Sequence, residues 1–209
     1  MLGLAVANYH DVHGHYPQPY LTDAVGTPTQ SWRLSVLPYL EQEALLNEYI
    51  RAEAWDSPTN SQLAARMPRV YAMHGDYRPG TTTANYLALV GTETVWPPDK
   101  KVNSKDIKDG PSNTLLIVEN RGLKVHWMEP RDLDFDTMDW TIDSPQGISS
   151  RYDALGAVLL DGSVRRLSKK LSPEALRAMA TIAGGDAVTV DGELIPVLPD
   201  GRDRPLTKP

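Results

Sequence analysis

The most constraining stretch of this chain lies at residues 151–168, where an Asp161-Gly162 pair stands between two runs that favour extended structure. Asp-Gly tolerates positive φ cheaply, so the pair predicts a hairpin closed by a two-residue type I′ turn, with Gly162 as a left-handed residue. Residues 155–160 are apolar on both faces, the mark of a strand covered on two sides. Residues 164–167 carry Arg165 and Arg166 and suit a more exposed return strand. A strand covered twice needs a layer above and a layer below. The chain supplies helical candidates before the hairpin and one after it, which predicts an α+β fold.

Those candidates follow from periodicity. Residues 2–13 read as a helix with Leu2, Val6, Tyr9 and Val12 on one side, ended by Gly14 and Pro17. Ala5 and Asn8 are expected on its less covered face. Ser31 is the predicted N-cap of a helical segment from Trp32 onward, kinked or restarted at Pro38. A short helix is predicted over 60–66, and strands over 69–73, 85–90 and 114–119, the last with residues 123–128 as its pairing candidate. Residues 131–150 read as an acidic surface loop. Ser172-Pro173-Glu174 is a strong helix start, with Leu176, Met179, Ala180 and Ala183 as the buried stripe and Gly184-Gly185 as the stop. Asp191-Gly192 predicts a second hairpin. The whole is read as one head over 1–198, with a tail over 199–209 expected to be disordered.

Composition narrows the function. The 209 residues carry a net charge of −6, and no basic cluster is long enough to track nucleic acid. With no cysteine, disulfides and thiolate metal sites are excluded. Five Trp and nine Tyr against one Phe put the aromatic bulk on residues with a polar edge, read here as core and rim packing.

Three groupings carry candidate chemistry. His10, His13 and His15 lie close together, and the first two share a helix face, so they could reach one metal ion and serve a metal-dependent hydrolase. The plainer reading is helix-end histidines facing the negative end of the dipole. Asp132, Asp134, Asp136 and Asp139 alternate as in a calcium loop, yet the glycine and terminal glutamate of an EF-hand are missing. A calcium site outside that motif stands beside a solvated acidic loop, which is the more economical reading. Asp109-Gly110-Pro-Ser112-Asn113 fails the nucleophile-elbow pattern at Thr114 and reads as a tight turn whose Ser and Asn side chains satisfy backbone groups. Together with Asp161 and Gly162 these are structural motif residues. No catalytic residue is assigned and no cofactor beyond possible calcium.

Several stretches, taken in order, resemble one family. They are Leu4-Ala-Val-Ala-Asn-Tyr-His-Asp-Val-His-Gly14 with Tyr16-Pro17, Ser31-Trp-Arg-Leu-Ser-Val-Leu-Pro-Tyr-Leu-Glu-Gln42, and Trp55-Asp-Ser-Pro-Thr-Asn60. Then come Ala84-Asn-Tyr86, Asp109-Gly-Pro-Ser-Asn-Thr114 with Val118-Glu119, Leu159-Leu-Asp-Gly-Ser-Val164, and Leu176-Arg-Ala-Met-Ala-Thr-Ile-Ala-Gly-Gly185. This set resembles the planctomycete-type prepilin-like proteins, labelled type II secretion G-like, that carry a "His, nine residues, Asp-Gly" domain of unknown function. The resemblance implies a pseudopilin-like head in which an amino-terminal helix packs on an antiparallel sheet. It also implies a non-enzymatic structural or interaction role in the cell envelope, on the periplasmic side. Partners are then other proteins or copies of itself, met through the amino-terminal helix, and the full-length parent is expected to be membrane-anchored by a preceding segment. The chain departs from the pattern twice. Arg151 stands where the family has its His, and Tyr71-Ala-Met-His-Gly-Asp76 replaces a Cys-Pro-Ser-Asp-like stretch.

Overall fold

The computed structural model describes residues 1–188 and 194–196. The chain opens with α1 (Leu2–His13), a strand pair β1 (Tyr20–Thr22) and β2 (Pro28–Ser31), and α2 (Trp32–Ser35). A 3-10 turn at Leu37–Leu40 leads to α3 (Glu43–Glu48), and further 3-10 turns follow at Asn60–Arg66 and Arg69–Tyr71. Short strands β3 (Thr83–Ala84), β4 (Tyr86–Leu87) and β5 (Leu89–Val90) precede β6 (Leu115–Glu119), β7 (Val125–His126) and β8 (Leu133–Asp134). The hairpin β9 (Ala154–Leu159) and β10 (Val164–Ser168) then leads to α4 (Pro173–Ala180), and β11 (Asp186–Val188) pairs with β12 (Leu194–Pro196). The fold is α+β. The turn of the second predicted hairpin and the predicted tail lie outside the described residues.

The centre is a four-stranded antiparallel sheet in the order β10-β9-β6-β4. Its two faces serve separate apolar clusters. Val158, Leu116, Ile117 and Leu160 meet Leu2, Ala5 and Val6 of α1, and this cluster runs on to Trp32, Tyr71, Trp96 and Trp127. On the other face Leu155, Ala157, Leu159 and Val118 meet Leu176, Met179 and Ala180 of α4, together with Leu133 and Phe135. The register shifts between Leu115 and Ile117, so adjacent Leu116 and Ile117 both join the first cluster, as a bulge permits. Trp32, Trp96 and Trp127 are fully buried, and two of them place an indole N–H on a carbonyl, Trp96 on Leu116 at 2.7 Å and Trp127 on Ala64 at 2.9 Å.

Several local expectations need correction. Asp161 does not adopt positive φ, while Gly162 does (φ 82°). Gly162 N–H donates to Leu159 O at 2.9 Å, and Leu159 N–H to Ser163 O at 2.9 Å. The loop is therefore Leu160-Asp161-Gly162, a turn closed by a left-handed glycine rather than a two-residue type I′ turn. Residues 69–71 form a 3-10 turn, not a strand, pinned by the Tyr71 hydroxyl donating to Arg33 O at 2.6 Å. β7 pairs with β3, not with β6. α4 ends at Ala180, and Ala183 is exposed beyond it. Residues 131–150 are no surface loop: Leu133, Phe135, Met138 and Ile148 are core.

Candidate functional site

His13 and His15 stay close, their ring centroids 6.2 Å apart, but each of the three histidines has a hydrogen-bond partner of its own. His10 Nε2 lies 3.0 Å from Ser104 Oγ, His13 Nε2 lies 3.1 Å from the Tyr39 hydroxyl, and His15 Nδ1 lies 2.8 Å from Tyr16 O. The rings instead stack with tyrosines, His13 on Tyr9 at 4.1 Å and His10 on Tyr16 at 4.4 Å between centroids. Burial pushes the Tyr9 and Tyr16 hydroxyls above the ordinary tyrosine range.

The acidic run is likewise divided. Asp132 is fully buried, with Oδ1 taking 2.5 Å from Arg33 Nη2 and 2.8 Å from Ala88 N–H, and Oδ2 taking 3.2 Å from Trp32 Nε1. Arg33 is equally buried and also donates to Ser31 Oγ and Tyr86 O. This ion pair ties the start of α2 to the strand at Leu133. Asp134 Oδ1 accepts from Asp136 N–H and Thr137 N–H, and Asp139 Oδ1 accepts from Thr141 N–H, both local turn contacts. Among the described residues, no three His, Asp or Glu side chains are disposed to hold a metal ion.

The predicted turn motif is held through Asp109 and Asn113. Asp109 is buried, and its carboxylate accepts from Gly184 N–H and Gly185 N–H, both at 2.8 Å, and from Thr181 Oγ1 at 3.2 Å. Gly110 is left-handed (φ 87°), and Asn113 Nδ2 donates to Asp109 O at 2.8 Å. Ser112 is exposed at the turn surface. Asp109 thus fastens the chain after α4 to the entry of β6.

What remains as a surface feature is α1 and its surroundings. Leu2, Ala5 and Val6 are buried against the sheet, so Ala5 belongs to the covered face, contrary to expectation. Tyr9 packs at the rim of the same cluster. Leu116 shares that cluster, whereas Val118 and Leu159 belong to the cluster under α4. The outward side is mixed: Met1, Leu4 and Val12 are 83%, 63% and 69% exposed, with Asp11 and His13 exposed beside them, so Val12 does not join the covered side on which it was expected. Beside the start of α1 an apolar groove of about 580 Å³ opens between residues 68–74, Leu40 and the sheet edge at Val158 and Val164. Sequence reading misses this groove. Its one legible signal is Val164, a β-branched residue 72% exposed at the head of a strand whose other exposed residues are polar.

A family model described as "Protein of unknown function (DUF1559)" matches residues 1–73. The matched stretch contains α1 and one wall of the groove. No curated protein and no solved structure matches the chain. Among the described residues, no helix is long and apolar enough to cross a membrane.

Proposed function

We propose that this chain is a pilin-like head, a non-enzymatic structural or interaction protein of the cell envelope that meets its neighbours through α1. The observation that carries the reading is the two-sided character of that helix. One face is built into the core through Leu2, Ala5 and Val6, while the opposite face leaves Met1, Leu4 and Val12 in water. A helix whose only task is to cover a sheet exposes a polar face; here large apolar side chains stand outward beside Asp11 and His13, the mixed composition of a packing surface. The resemblance of the ordered motifs to prepilin-like heads supports this reading.

Sedimentation velocity over a range of concentrations tests it. The native chain should associate reversibly, and Leu4→Glu, at a position 63% exposed, should shift it toward monomer without lowering its melting temperature. A chain that stays monomeric throughout, or a Leu4→Glu variant that associates as the native chain does, would remove the role assigned to α1.

A further inference from the structure

We propose that the groove beside α1 is the receptor for the exposed α1 stripe of a second copy of this chain, so that two heads close around a two-fold axis near Met1. The proposal rests on α1 being an assembly surface and names what that surface enters. Leu40, Val70, Met73, Tyr86, Val158 and Val164 give the groove an apolar lining suited to side chains such as Met1 and Leu4.

Two observations favour a second copy over an unrelated partner. The first is continuity. Met1 belongs both to the stripe and to the groove wall, and Leu4 follows one turn later on the exposed side. When knob and hole adjoin on one molecule, a two-fold axis at their junction seats each knob in the other molecule's hole, and the contact closes without leaving a free end. The second is charge. Arg69 and His74 line the groove, and no carboxylate does. Strand register places Arg166 in one cross-strand row with Gly156, Glu119 and Tyr86, so the Glu119 carboxylate offsets it and Arg69 carries the positive charge of the groove. That charge sits on a chain of net charge −6, and the only acidic residue of α1 is the exposed Asp11. A second copy therefore brings an apolar stripe and a negative group to an apolar trough with a positive edge.

The experiment is a mixing test by sedimentation velocity on the intact chain, using Leu4→Glu for the stripe and Val164→Glu for the groove. Both positions are exposed, and unchanged melting curves would confirm that both variants fold. Each variant alone should raise the dimer dissociation constant by about tenfold or more, the loss expected on placing a charge in an apolar contact. An equimolar mixture of the two should associate more tightly than either alone, since the intact stripe of the Val164→Glu chain can enter the intact groove of the Leu4→Glu chain. If Leu4→Glu weakens association while Val164→Glu does not, α1 remains an assembly surface and the groove proposal falls. If both weaken it but the mixture recovers nothing, stripe and groove do not mate, and the proposal also falls. A native chain that never associates overturns this proposal together with the role given to α1.

Discussion

A Cβ on Gly3 would sit 2.7 Å from Val158 Cγ1 and 3.1 Å from Gly162 Cα, so the first turn of α1 and the tip of the β9–β10 hairpin meet nearly backbone to backbone. Gly3→Val should therefore push helix and hairpin apart and lower the melting temperature. Gly162 poses a different constraint. Its surroundings are open, but its φ of 82° is left-handed. Gly162→Val should cost about 1–2 kcal/mol through conformation alone, whereas Arg165→Ala on the exposed strand should stay within about 0.5 kcal/mol in chemical denaturation. Equal midpoints for these two would contradict the turn geometry. At Asp132 the stakes are higher, because Asp132→Ala strands the buried Arg33 guanidinium, the Ala88 N–H and the Trp32 indole N–H. A loss of about 3–5 kcal/mol is expected, readable as a shift of the denaturation midpoint. The glycine requirement at 162 is legible in the Asp-Gly pair; the turn type is not, because moving Leu160 from strand to loop changes the register without changing the residues. Asp132 is misread for a related reason. Its alternation with Asp134 and Asp136 imitates an ion loop, yet it is the two-residue period of a strand whose Leu133 and Phe135 point into the core. Arg33, its partner, is distant in sequence, and nothing local announces the pair.

At the scale of elements, ends are decided by side chains that arrive from elsewhere. Gly184-Gly185 looks like the stop of α4, but Thr181 is already extended, and Asp109 captures the amides of both glycines. Asp109→Ala should leave those N–H groups without their acceptor and cost about 1–3 kcal/mol, seen as faster amide exchange at Gly184 and Gly185. The 3-10 turn at Arg69–Tyr71 follows Pro68 and is held by Tyr71, which stacks at 6.2 Å on Trp127. A β-branched Val70 alone does not make a strand there. β7 adds a titration. Burial, opposed by the nearby Glu129 carboxylate, holds the His126 imidazole below the ordinary histidine range. Its Nδ1 accepts the Met128 N–H at 3.3 Å, and its ring lies 4.9 Å from that of Trp55. The folded state thus binds its proton later than the unfolded chain, which takes one up near pH ~6.5. Stability should be highest above that value and fall as pH drops through the window down to the folded pKa. His126→Gln should flatten that part of the profile of melting temperature against pH.

At the scale of the whole molecule, one sheet separates two cores, and each helix at the chain's extremes closes one of them. The hairpin that organises the sheet, the helical spacing at the start and the capped last helix are all readable from local pattern, which is why the α+β layout is legible. The groove is not, because its walls come from α1, residues 68–74 and the sheet, and no single stretch of sequence announces a space between elements. The two places where the chain departs from the prepilin-like pattern also meet. Arg151 pairs with Asp76, and the Tyr152 hydroxyl donates to His74 O at 2.7 Å, clasping the end of the groove wall to the start of β9. The central claim is that α1 is a structural spine whose outer face is free for assembly. Deleting residues 1–9 and following thermal unfolding by calorimetry tests it most directly. Burying Leu2 and Val6 is worth about 1.5–3 kcal/mol each, so the shortened chain should melt roughly 6–24 °C lower. A shortened chain that keeps the native melting temperature would show that α1 is not a spine.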